Sequence, residues 1–183
     1  GPRGTSSMTT EKVPLDWTCG PVRVIDVTSL VGSIDKTSWP ASPEITPTLI
    51  QEFEKKNGDL KKGEVVLFRT GHLDRHFKTQ PNESGVWLDP LNGKSEGWPA
   101  IGPDAVVFLK SRDIRCVATD APDLGGVNPK RALMTYWALG SREMVGVEFL
   151  NNTAKIPSGS YFLFAALRIR DCHGGPGRAI VLH

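Results

Sequence analysis

A mixed α/β domain is the fold class this sequence predicts, on three observations. Short β-branched or apolar segments recur along the whole chain. Two helical segments open on a proline. Strand and helix patterns alternate in the middle, whereas strands dominate both ends. That order suits a mixed sheet with flanking helices rather than a clean doubly wound sheet.

Each element has its own signal. "VRVIDVT" (22–28) is β-branched with partial alternation and predicts a strand against a core. "TPTLIQEFEKKNG" predicts a helix with Thr46 as N-cap and Pro47 in the first helical position. Leu49, Ile50 and Phe53 form its apolar face, Lys55 and Lys56 complement the C-terminal dipole, and Asn57-Gly58 ends it. "EVVLFRTG" (64–71) is apolar enough to be a central strand. Residues 80–102 hold Trp87 and Trp98 but no periodicity, and an aperiodic stretch of that length points to function. Gly102-Pro103 opens a second helix, with Val106, Val107 and Lys110 marking its faces. Strand 115–120, a helical segment at 129–139, and strands 144–150, 161–170 and 178–183 complete the chain.

The 183 residues fit one domain with a real core. Residues 1–8, opening on a Gly-Pro that resembles a protease scar, are set aside as a tag or leader, and 9–183 are expected to form the single domain. The formal net charge is +2, and the basic residues are scattered. There is no basic stripe with interleaved aromatics, so no nucleic-acid partner is expected. "YFLFAAL" (161–167) is too short to cross a bilayer, and no secretory leader is legible, so the expected location is the cytosol. Cys19, Cys116 and Cys172 are far apart and form no C-x-x-C pair, which fits reduced thiols rather than a zinc knuckle or disulfide framework.

Four strings, in order, carry a family resemblance. "VPLDWTCGPVRVIDVT" resembles a proline-leucine turn leading into Gly-Pro and an aspartate-bearing strand. "KKGEVVLFRTGHLDR" resembles G-D-x-V-L-x-R-T-G-W, with Glu64 for the Asp and His72 for the Trp. "TDAPDLGG" resembles a D-x-P-S strand end. "RIRDCHGGPGRAIVL" resembles the closing K-I-x-G-G-x-G-G-P-x-R-A strand pair. Together they resemble the cyclase family of metal-dependent hydrolases, which includes kynurenine formamidase and isatin hydrolase. The resemblance covers nearly the whole chain from about Val13 and implies that family's α/β fold.

It also implies hydrolysis of amide or ester carbonyls by a zinc- or manganese-bound water of lowered pKa. The family's ligands come from an H-x-G-T-H-x-D-x-P-x-H motif, a later helical His and a Glu downstream. No such motif occurs in these 183 residues. The family's H-W-A-x-L-G…V-E falls on "TYWALGSREMVGVE", so the glutamate is Glu148 and Tyr136 stands in the histidine position. Thr135 would stand there after a one-residue shift. A phenol of pKa near ~10 is a poor substitute for imidazole. One carboxylate cannot hold a catalytic zinc that needs three protein donors.

Two explanations follow: a degenerate member, or a piece of a longer chain whose motif lies elsewhere. Tyr136 favours the first, because loss of a segment does not alter the residues that stay. No zinc or manganese is expected in this chain alone. The resemblance makes Tyr136, Glu148, Trp98 and His72 a vestigial pocket for a small molecule or a catalytic partner. It also implies a homo-oligomer or association with a catalytic homologue. An active arylformamidase-like or cyclic-amide hydrolase is the competing expectation.

Other candidates have plainer readings. "HLDRH" (72–76) groups His72, Asp74 and His76, but helical spacing is not expected right after "RTG", and a solvated turn is the simpler reading. "DCH" (171–173) places Cys172 beside His173, yet strand neighbours point to opposite faces, so a turn is expected rather than a nucleophile-base pair. "GGPG" (174–177) precedes a strand and lacks the Lys-Ser/Thr of a phosphate loop. Glu148 reads as a buried carboxylate whose pKa rises unless Arg142 or Lys130 pairs with it. Tyr136 and Trp137 read as core aromatics, and Trp98 as the aromatic at a pocket mouth.

Overall fold

The structure, a computed structural model, describes residues 8–77, 85–157 and 159–183. Most of the set-aside leader and part of the aperiodic 80–102 stretch lie outside these residues.

Among the described residues, eight strands and five α-helices follow in chain order: β1 (Cys19–Asp26), β2 (Glu44–Ile45), α1 (Pro47–Asn57), β3 (Val65–Arg69), α2 (His72–His76), α3 (Leu88–Leu91), β4 (Ala100–Ile101), α4 (Pro103–Ser111), β5 (Cys116–Thr119), α5 (Pro129–Ser141), β6 (Val145–Val147), β7 (Tyr161–Ala166) and β8 (Gly177–Leu182). Six strands form one sheet in the order β6-β5-β3-β1-β7-β8. The first four pair in parallel, while β1–β7 and β7–β8 are antiparallel. β2 and β4 make a separate two-stranded pair. The mixed sheet with flanking helices is therefore the observed fold.

Register explains why β3 is central. Val65 lies between Val22 of β1 and Cys116 of β5. Side chains alternate across a strand, so Val66 and Phe68 face the cluster holding Ile50 of α1 and Val106 and Leu109 of α4. Val65 and Leu67 face the opposite cluster with Val147 and Phe162. Both faces are covered, which is why the strand is apolar throughout.

The helices start where capping chemistry places them. Thr46 Oγ1 accepts from Leu49 N, with Pro47 opening α1. Asn128 Oδ1 accepts from Lys130 N and Arg131 N, with Pro129 opening α5. At the far end of α1, Gly58 has φ 82° and its N–H donates to Glu54 O.

Three expectations need correction. "HLDRH" is helical after all: α2 turns once from Gly71, whose φ is 68°, and His72 is buried rather than solvated. Tyr136 and Trp137 are 39% and 49% exposed, because α5 buries its opposite face through Thr135, Ala138 and Leu139. The strands expected over 144–150 and 161–170 are shorter. β6 ends at Val147 because Phe149 takes φ 63°, and β7 ends at Ala166.

Candidate functional site

A carboxylate organises the ends of the central strands. Asp120, directly after β5, accepts hydrogen bonds from Thr70 N and Oγ1, Gly71 N and Thr153 Oγ1, all at 2.6–2.9 Å. It thereby joins the turn after β3 to the segment after β6. The loop it anchors, 121–127, supplies one wall of the candidate site.

That loop packs tightly on α5. A Cβ at Gly125 would lie 2.7 Å from Ala132 Cα and 3.1 Å from the Tyr136 ring, so only glycine allows this approach. Contact with α5 brings Leu124 N within 2.9 Å of Glu148 Oε1 and 3.3 Å of Tyr136 Oη. Tyr136 Oη donates to the same Glu148 Oε1 in a short bond of 2.5 Å. α5 itself is oriented by Thr135, whose Oγ1 donates to Ile101 O.

Tyr136 and Glu148 line a cavity of about 830 Å³, together with Pro122, Leu139, Phe149 and His173 among others. Burial pushes the Glu148 carboxyl above its ordinary range, although the Tyr136 and Leu124 bonds pull the other way. Burial, with the negative charge of Glu148 and Asp123 beside it, drives the Tyr136 phenol upward, so it remains a protonated donor. Asp123 is also raised by burial while accepting from Gly126 N and Trp98 Nε1. Among the described residues both Glu148 bonds fall on Oε1.

The other two expected pocket residues lie in the interior. Trp98 is 2% exposed and is not at a pocket mouth. His72 is 3% exposed, packs edge-on to the Trp98 ring at 5.4 Å, and bonds through Nε2 to Val86 O at 2.7 Å. Because a carbonyl only accepts, Nε2 carries the proton. Burial pushes this imidazole down to about 4 and keeps it neutral. Trp98 touches the site indirectly, through Asp123.

The partner of Glu148 is a phenol and a backbone amide, not Arg142 or Lys130. Arg142 Nη1 instead donates to Ala138 O and Ser141 Oγ. Cys172 and His173 lie outside the strands, and His173 Nδ1 meets Met8 O at 3.2 Å. Asp123 and Phe149 were not singled out from the sequence. Asp123 left a trace there, as an acid where the resemblance expects serine.

The described residues do not fit a catalytic metal. No group of three or more His, Cys, Asp and Glu among them is arranged to hold an ion. Tyr136 and Glu148, which the sequence resemblance sets against two ligand positions, are bonded to each other, and the phenol is held in its protonated form. A catalytic zinc needs three protein donors.

Known proteins share this architecture. The Cyclase family model matches residues 2–125. An isatin hydrolase from Roseibium aggregatum is 28% identical over 181 residues, covering 91% of this chain and 65% of its own length. Isatin hydrolase A from Labrenzia aggregata, solved with benzyl benzoate, superposes with a TM-score of 0.76 at 23% identity, over 94% of this chain and 64% of that one. A structure described as a potential metal-dependent hydrolase with cyclase activity gives 0.62 at 22% identity, over 95% and 70%. The chain thus spans about two thirds of the length of these relatives, and the structural likeness is one of fold.

Proposed function

The chain belongs to the Cyclase family, and on that premise we propose that its Tyr136–Glu148 cavity binds a small carbonyl compound without the chain's own residues hydrolysing it. The observation that carries this reading is the bond between Tyr136 and Glu148. Where the family resemblance calls for two converging metal donors, this chain has a donor-acceptor pair that satisfies itself.

Such a pair suits recognition. Leu124 N and Tyr136 Oη fix Oε1, so the carboxyl group cannot rotate freely. Oε2 then accepts from an amide N–H when Glu148 is ionised. When the group is protonated it donates to a carbonyl oxygen, and its raised pKa favours that form. Isatin, named with the relatives, offers both groups on a flat ring and is a reasonable first ligand. Association with a second copy or with a catalytic homologue belongs to the same proposal.

A second reading rests on the retention of Glu148 on the cavity wall. There the chain would belong to a metal hydrolase, with the remaining donors coming from a further segment or a partner chain. The test is isatin and N-formylaniline presented to the protein with excess manganese or zinc. Saturable binding without turnover is expected. Turnover that Glu148→Gln abolishes would favour the hydrolase.

A further inference from the structure

Phe149 combines three properties that rarely occur together. Its φ is 63°, in the left-handed region where a bulky aromatic is an outlier. Its side chain is not core, since the residue is 38% exposed. It lines the cavity directly after Glu148.

The backbone explains why position 149 needs positive φ, but not why it holds a phenylalanine. Phe149 N donates to Ala121 O and Leu150 N to Thr119 O, so the chain past β6 stays tied to the end of β5 through this kink. Glycine or asparagine would take the same conformation with less strain. A conformational cost carried by a residue that stays 38% exposed beside a cavity points to a role for the ring itself.

The ring's neighbours suggest that role. Phe149 meets Phe77 edge-to-face with centroids 5.7 Å apart and Trp87 at 5.9 Å with a 37° tilt. Phe77 and Trp87 are themselves 48% and 38% exposed. Three half-exposed rings thus support one another beside the cavity. Aromatic rings attract other aromatic rings beyond their simple apolar area, through edge and face contacts.

We propose that Phe149, backed by Trp87 and Phe77, is an aromatic selectivity wall of the cavity that favours carbonyl compounds on a flat aromatic ring over those on a saturated ring. This rests on the reading that the cavity binds carbonyl compounds. Phe149 is the contact residue, and Trp87 and Phe77 position it.

The experiment compares benzamide with cyclohexanecarboxamide, which carry the same amide on rings of similar size. Binding is followed by calorimetry for the wild type, Phe149→Gly, Phe149→Asn, Trp87→Ala and Glu148→Gln. The wild type is expected to prefer benzamide by about fivefold. Phe149→Gly and Phe149→Asn should lose that preference while melting no earlier than the wild type. Trp87→Ala should reduce it in part. Glu148→Gln should weaken both probes alike and keep the preference. Equal binding of the two probes to the wild type overturns the wall, as does a preference that survives both Phe149 substitutions. Early melting of both Phe149 variants would make the ring a structural support and overturn it too. If neither probe binds the wild type, the carbonyl-binding reading falls and the wall falls with it.

Discussion

Glu148 keeps a proton longer in the folded protein than in the unfolded chain. Burial raises its pKa above the ordinary 4.5, and Asp123 is raised above 3.8 for the same reason. Over the window that opens at those values the folded state binds more protons, so stability falls as pH rises through it. Glu148→Gln retains Oε1 as an acceptor for Tyr136 and Leu124 and removes the charge. Urea melts should find this variant more stable than the wild type at about pH 7, with the gain shrinking toward about pH 4. Equal or lower stability of the variant throughout would contradict this account of the site. The sequence pointed to Tyr136 and Glu148 only through the family resemblance of "TYWALGSREMVGVE". It could not disclose Leu124 N as their common partner, because that contact depends on a loop seated against α5 through Gly125.

At the level of elements, an ion pair adds to the apolar cluster that α1 and α4 share. Glu54 of α1 is 5% exposed and accepts from Arg112 Nε at 2.9 Å, Arg112 Nη2 at 3.0 Å and Leu60 N at 3.0 Å. Arg112, just past α4, holds this carboxyl below its ordinary 4.5. Its contribution is present above that value and is lost as pH falls through the lower folded pKa. Glu54→Ala should cost about 2 kcal/mol near neutrality, because it strips a partly exposed guanidinium and an amide of their acceptor. The loss should narrow in acid, which denaturant melts at two pH values would show. Elements with local signals were legible: Thr46-Pro47 and Gly102-Pro103 announce their helices without help from the rest of the chain. α2 was not, since a single turn across "HLDRH" has no apolar period and follows a glycine at positive φ. The exposure of Tyr136 and Trp137 was equally hidden, because which face of α5 meets the sheet is set by Thr135, Ala138 and Leu139 together.

For the whole molecule, Asp120 is where sheet and site meet. Its four hydrogen bonds connect the ends of β3 and β5 with the segment beyond β6 that carries the cavity wall. Asp120→Ala should cost about 3 kcal/mol, since two backbone amides and two hydroxyls lose a charged acceptor. It should also loosen ligand binding at Tyr136 and Glu148, a coupling that denaturant melts and calorimetry on the same variant would reveal. No helix among the described residues is long and apolar enough to cross a membrane. The chain shares its fold with the family, and the proposed function rests on the Tyr136–Glu148 bond. The direct test is the zinc and manganese content of purified protein after equilibration with excess ion and desalting. A substoichiometric content, the same in Glu148→Gln, is predicted. One ion retained per chain and lost in Glu148→Gln would contradict the account.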